Sequence, residues 1–146
     1  MRELIKKIEI ATSSKNIWAV MSDVERWHEW TPSITRIQLT DFLPLHLGSH
    51  AVIKQPKFPA AKWEVTEFVP GKSFTWQSHG PGILVSASHQ IEAITADEVC
   101  TVRLRLGFSG VLGGLFASLT AGINERYLNF EMEGLQKRCK PKSVHK

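Results

Sequence analysis

The sequence is poor in cysteine and has no long uninterrupted apolar run. Its two cysteines, Cys100 and Cys139, provide no disulfide framework. The longest apolar stretch, residues 111–123, contains Ser118 and Thr120 and is too short to cross a bilayer, so we expect no transmembrane segment. The amino terminus enters an alternating pattern at once, without the apolar region of a signal peptide. These absences favour a cytoplasmic protein.

An excess of charge is also missing from most of the chain. The formal net charge is +4, from 18 Lys and Arg residues against 14 Asp and Glu residues. Five of the basic residues lie close to the carboxyl terminus: Lys137, Arg138, Lys140, Lys142 and Lys146. The rest of the chain is therefore near neutral, and it carries no basic stripe interleaved with aromatic residues. We expect no nucleic-acid partner, and we interpret residues 141–146 as a basic tail on a single domain of residues 1–140.

Alternation of apolar and polar residues predicts seven β-strands. They cover residues 2–11, 33–41, 49–55, 63–68, 72–78, 83–94 and 99–108. Two short helices are predicted after the first strand, and they end near Thr31 because Pro32 follows. Turns are expected at residues 56–59, 70–71, 80–82 and 97–98. Connections this short favour antiparallel neighbours in one sheet.

A long helix over residues 111–140 is predicted to complete the domain. Apolar residues recur there at steps of three and four, which places them on one helical face. This predicted stripe contains Leu112, Phe116, Leu119, Ile123, Tyr127 and Phe130. Because one helix cannot bury such a stripe alone, we expect the sheet to receive it. The predicted fold class is α+β, with an antiparallel sheet of six to seven strands wrapped around the C-terminal helix.

Four local motifs accompany this order of elements. They are DVERWHEWTP at residues 23–32, WEVTEFVPG at 63–71 followed by FTW at 74–76, HQIE at 89–92, and FSGVLGGL at 108–115. Over about residues 2–138 the sequence resembles the START/Bet v 1-like superfamily, in particular its polyketide cyclase/dehydrase-like (SRPBCC) branch. The resemblance implies a helix-grip fold with a cavity between sheet and helix, in which members bind lipids, sterols or aromatic small molecules.

Candidate ligand-binding residues follow from the alternation and from the helical stripe. They are Trp63, Val65, Phe74, Trp76, Val85, Ala87, His89, Leu104, Leu119, Ile123 and Tyr127. For at least one of the tryptophans, core packing is the preferred interpretation. The small residues Ala117, Ala121 and Gly122 are expected to leave a void of a few hundred Å³ beside the helix, the size of a usual ligand pocket.

Two of these candidates carry polar groups that are suited to chemistry. His89 shares an inward face with apolar neighbours, so its ring needs a hydrogen-bond partner, either a neighbour, a water or a ligand. A satisfied core histidine is the more common case, although histidine is also the natural acid or base near neutral pH. Tyr127 could orient a polar end of a ligand or protonate an enolate, or it could simply pack with its hydroxyl in water.

Three functions remain open at this level. The first is binding or transport of a hydrophobic or aromatic small molecule by a monomer or weak homodimer. The second is a polyketide cyclase/dehydratase-type enzyme that uses His89 or Tyr127 as acid or base. The third is a protein-interaction module with a filled core and an exposed apolar patch. No metal and no cofactor is expected, because the six histidines lack paired spacing and no glycine-rich phosphate motif is present.

Overall fold

The computed structural model describes residues 2–94 and 99–139, which form one antiparallel sheet and a set of helices. The strands are β1 (Arg2–Ile10), β2 (Arg36–Leu39), β3 (His50–Gln55), β4 (Phe58–Val69), β5 (Ser73–Gly80), β6 (Ile83–Ile94) and β7 (Cys100–Ser109). The helices are α1 (Ser14–Ser22), a 3-10 helix (Val24–Glu29), α2 (Gly113–Leu119) and α3 (Ala121–Cys139). The strand order is β1-β7-β6-β5-β4-β3-β2. This arrangement confirms the predicted α+β helix-grip fold.

Most strands follow the predicted alternation, and two of them differ in length. Strand β4 begins at Phe58, because the β3–β4 turn is only two residues long and Gln55 already pairs with Phe58. The predicted turn over residues 56–59 is therefore too long, and Pro59 lies within the strand. A register shift between Ile53 and Gln55 accompanies this proline, in keeping with the preference of strand prolines for irregular sites.

Strand β2 is shorter than predicted because side-chain hydrogen bonds shape the residues before it. The hydroxyls of Thr31 and Ser33 lie 2.8 Å apart, and the backbone N–H of Ser33 donates to the Thr31 hydroxyl. Both residues are buried. Such local bonds compete with strand pairing, so the strand starts only at Arg36. The predicted turn at residues 97–98 and the tail at 141–146 lie outside the described residues.

The prediction of one continuous helix over residues 111–140 is wrong. The chain forms two helices, α2 and α3, with a break at Thr120. The Thr120 hydroxyl donates to the Phe116 carbonyl at 2.7 Å and accepts from the Asn124 side chain at 2.8 Å. Thr120 thus closes the last turn of α2 and begins α3. A threonine that bonds back to a carbonyl four residues earlier often bends a helix.

Because of this break, the buried face of α3 differs from the predicted stripe. The buried residues of α3 are Asn124, Tyr127, Leu128, Met132, Gly134, Leu135 and Cys139. Leu119 is 75% exposed, Leu112 is 45% exposed, and Ile123 and Phe130 are only half-buried. A spacing counted through Thr120 does not follow a single helix axis, so the predicted stripe mixes two different faces.

The C-terminal end of α3 packs beside the 3-10 helix. Arg138 donates a 2.7 Å hydrogen bond to Glu29 and thereby lowers the pKa of that carboxyl. Cys139 is fully buried, and this burial raises the pKa of its thiol to about 11.

The core lies between the sheet on one side and α1, the 3-10 helix and α3 on the other. Among the described residues, no helix is long and apolar enough to cross a membrane.

Candidate ligand-binding cavity

A cavity of about 300 Å³ lies between the sheet and helices α2 and α3. Its wall is formed mainly by residues of the sheet. Val85, Ala87 and His89 come from β6, and Leu104 and Leu106 come from β7. Alternate residues of a strand point to the same face, which explains why both strands contribute in this pattern. The expected void of a few hundred Å³ is therefore present. The alternative of an interaction module with a filled core predicted no such void.

Aromatic side chains make up much of the remaining wall. They come from the 3-10 helix, from strands β4, β5 and β7, and from both C-terminal helices. These residues are Trp27, Phe58, Trp63, Trp76, Phe108, Phe116 and Tyr127. Phe58 lies between Phe116, at a ring distance of 6.2 Å, and Tyr127, at 6.0 Å. The tip of the β3–β4 hairpin thus contacts both C-terminal helices at one side of the cavity.

Seven of the eleven predicted binding residues line this cavity: Trp63, Trp76, Val85, Ala87, His89, Leu104 and Tyr127. Their contact with a ligand remains a prediction. Val65 and Phe74 do not line the cavity but lie in the core, where Phe74 stacks on the His89 ring. The prediction that Leu119 and Ile123 face the cavity is wrong, since the break at Thr120 turns these residues away from it.

His89 is buried among aromatic rings, with 5% of its surface exposed. Its ring stacks on Phe74 at a centroid distance of 4.6 Å and meets the edges of Trp27 and Trp76. Within the described residues, its Nδ1 atom has no hydrogen-bond partner. Its Nε2 atom lies 3.7 Å from Oε1 of Glu131. The expectation of a fully satisfied core histidine is therefore not met.

Glu131 also lines the cavity, although it is not among the candidates predicted from the sequence. It lies on α3, one helical turn after Tyr127, and both side chains line the cavity together with Asn124 and Leu128. Its side chain is only 14% exposed. The spacing of 124, 127, 128 and 131 is a helical pattern, but the predicted stripe was traced through apolar residues alone and so passed over the polar position four residues after Tyr127. The cavity face of α3 is therefore more polar than the predicted stripe.

Tyr127 fixes the hairpin tip and keeps a hydrogen available for a ligand. Its hydroxyl oxygen accepts a 3.0 Å hydrogen bond from the backbone N–H of Lys57. A phenol both donates and accepts, so the O–H hydrogen is not used by this contact. Together, Tyr127, His89 and Glu131 bring three polar side chains to a mostly apolar cavity. This set can orient a ligand and is also suited to proton transfer.

The described residues contain no group of three or more His, Cys, Asp or Glu side chains that could hold a metal ion.

An exposed apolar patch lies outside the cavity on and before α2. It contains Val111, Leu112, Leu115 and Leu119, of which Val111 is 93% exposed. An interaction module was expected to have an exposed apolar patch and a filled core. The protein has such a patch, but it also has a cavity.

Residues 1–140 match the sequence family described as polyketide cyclase / dehydrase and lipid transport. The chain belongs to this family. Membership confirms the resemblance to the SRPBCC branch of the Bet v 1-like superfamily, which the sequence motifs indicated. No curated protein sequence matches the chain significantly.

Solved structures of the same fold share little sequence with this family member. A hypothetical protein from Helicobacter pylori has a TM-score of 0.80 at 13% identity, over 95% of this chain and 88% of that chain. A norcoclaurine synthase variant from Thalictrum flavum has a TM-score of 0.73 at 13% identity, over 94% and 93%. The Zhui aromatase/cyclase from Streptomyces sp. R1128 has a TM-score of 0.66 at 12% identity, over 94% and 90%. At these identities the similarity establishes the fold alone.

Proposed function

We propose that this protein binds or transports a hydrophobic or aromatic small molecule, lipid-like or polyketide-like, in the cavity between the sheet and α3. The observation that carries the proposal is the cavity itself, about 300 Å³ in volume and walled mainly by apolar and aromatic side chains. Pockets with apolar walls and a few polar groups are typical small-molecule sites. Removing the apolar surface of a ligand from water would supply most of the affinity.

A cavity-filling substitution tests this proposal. Ala61 lines the cavity, while its neighbour Ala60 is exposed and does not line it. Both lie on β4, where successive side chains point to opposite faces. We expect Ala61→Phe to weaken binding of N-phenyl-1-naphthylamine, an uncharged environment-sensitive dye, by at least about tenfold, or about 1.4 kcal/mol. Ala60→Phe should bind the dye like the parent protein. Dye fluorescence titrations measure both affinities, and equal weakening by the two variants would contradict the proposal.

A second candidate function is a polyketide cyclase/dehydratase-type enzyme, and a specific observation favours it. His89 and Glu131 approach each other inside the cavity, and the Tyr127 hydroxyl retains a hydrogen to donate. In this role one member of the pair would take a proton from the carbon beside a ligand carbonyl while Tyr127 stabilises the enolate oxygen.

Hydrogen exchange separates an enzyme from a carrier. An enzyme of this kind should exchange the α-hydrogens of 2-tetralone, an enolisable bicyclic ketone, for deuterium in D2O faster than buffer does. Because each substitution breaks the pair that takes the proton, Glu131→Gln and His89→Phe should each reduce the rate of exchange by about 10²–10⁴-fold, the usual range for general acid–base catalysis. Proton NMR follows the exchange. A rate equal to that in buffer would leave binding without catalysis.

A further inference from the structure

The gap between His89 and Glu131 is suited to one kind of ligand group. Nε2 of His89 and Oε1 of Glu131 are 3.7 Å apart, too far for a direct hydrogen bond. A single oxygen atom can nevertheless lie about 2.8 Å from both, the usual length of a hydrogen bond. Both side chains line the cavity and both are largely buried, so such an atom would come from a molecule inside the cavity.

The surroundings of His89 determine which of its nitrogen atoms carries a hydrogen. Nδ1 is buried and has no hydrogen-bond partner among the described residues, while Nε2 faces a carboxylate oxygen. A tautomer with its hydrogen on Nδ1 alone would bury an unpaired donor and turn the Nε2 lone pair toward Glu131. Nε2 therefore carries a hydrogen atom, whether the ring is neutral or protonated. The pair thus presents one donor and one acceptor to the gap.

We propose that His89 and Glu131 select a ligand that carries a hydroxyl group, a phenol or an alcohol, on its hydrophobic body. The inference rests on the proposed binding function and specifies its ligand class. A hydroxyl accepts a hydrogen bond from Nε2–H and donates its own hydrogen to the Glu131 carboxylate. A carbonyl or an ether can only accept, so it would leave the carboxylate without a donor. An ammonium group can only donate, so it would face the Nε2–H without accepting from it.

Burial makes this selection effective. The His89 side chain is 6% exposed and that of Glu131 is 14% exposed, so a ligand body that fills the cavity beside them would displace the water that could otherwise bond to the pair. A buried site that is built to hydrogen-bond a hydroxyl discriminates strongly against the analogue that lacks it, because its own polar groups are left unpaired. Hydrogen bonds to a charged carboxylate are also stronger than those between neutral groups.

Three matched bicyclic probes test the inference. They are 2-naphthol, which donates and accepts, 2-methoxynaphthalene, which only accepts, and naphthalene, which does neither. Displacement of N-phenyl-1-naphthylamine gives the affinity of each probe. We expect the parent protein to prefer 2-naphthol over 2-methoxynaphthalene by at least about tenfold, or about 1.4 kcal/mol. Glu131→Gln and His89→Phe should each reduce this preference several-fold.

Glu125→Gln is the matched control, since it makes the same chemical change on α3 where the carboxylate pairs with Lys6. It should keep the preference unchanged. Naphthalene affinity reports in every variant whether the cavity is intact. The inference would be overturned if the parent protein did not prefer 2-naphthol, or if both cavity variants kept this preference. The proposed binding function would stand in either case. If no probe and no dye binds the parent protein, the proposed function fails and the inference fails with it.

Discussion

At the scale of single residues, one glycine sets how closely α3 approaches the backbone at Trp30. A Cβ atom added at Gly134 would lie 1.9 Å from the carbonyl oxygen of Trp30, far inside contact distance. At Gly122, near the start of the same helix, an added Cβ would meet nothing within 4 Å. The obstacle at Gly134 is a backbone atom, so a side chain cannot rotate away to make room. The two glycines therefore differ in role although they lie on one helix.

Substitution of these glycines should have opposite effects. We expect Gly134→Ala to reduce the free energy of unfolding by about 1–3 kcal/mol or more, because helix and backbone must separate. Gly122→Ala should be neutral or should stabilise the protein by up to about 1 kcal/mol, since alanine favours the helix. Urea unfolding midpoints measure both changes. Similar midpoints for the two variants would show that α3 does not pack against Trp30 in this way.

The residues of the site were predictable from the sequence where they lie on strands. Trp76, His89 and Leu104 face the cavity because strand alternation fixes the face of each residue without any knowledge of the partner. Phe74 shows the limit of this argument. Alternation places it on the inner face, but only packing decides that it supports the His89 ring from the core and does not reach the cavity. Glu131 was missed because it is polar, although it lies on the same helix face as the predicted Tyr127, four residues earlier.

At the scale of elements, the predicted and observed ends of β1, β3, β5, β6 and β7 agree to within two residues. Alternation and glycine or proline turns locate such strands well, because both signals are local. The C-terminal helices were harder to predict. Leu119 continues the apolar spacing of α3 in the sequence, although it lies on α2 and is exposed. The break between the helices depends on the side-chain hydrogen bonds of Thr120, which spacing does not reveal.

At the scale of the whole molecule, the cavity was predicted for a reason that proved only partly correct. Ala121 and Gly122 were expected to leave room on the helix, but both are exposed. The space instead adjoins Tyr127, Leu128 and Glu131 on the inner face of α3. Its size depends on the distance between α3 and the sheet, which contacts such as the Tyr127–Lys57 hydrogen bond help to maintain. A distance between elements that are far apart in the chain cannot be read from local patterns.

A hydrophobic ligand could bind in the cavity or on the exposed apolar patch on and before α2. The cavity would remove more of a ligand's surface from water than the patch would, so we expect it to be the stronger site. Methyl groups identify each surface clearly. Ile53, Val85 and Leu104 report on the cavity, and Leu115 and Leu119 report on the patch.

The most direct measurement is therefore a titration of methyl-labelled protein with N-phenyl-1-naphthylamine, followed by carbon–proton correlation NMR. Aromatic rings strongly shift the resonances of methyl groups that they contact. We predict saturable shifts at the methyl groups of Ile53, Val85 and Leu104, with those of Leu115 and Leu119 unchanged. Shifts confined to Leu115 and Leu119, or no shifts at all, would contradict the proposal that this protein binds hydrophobic molecules between its sheet and α3.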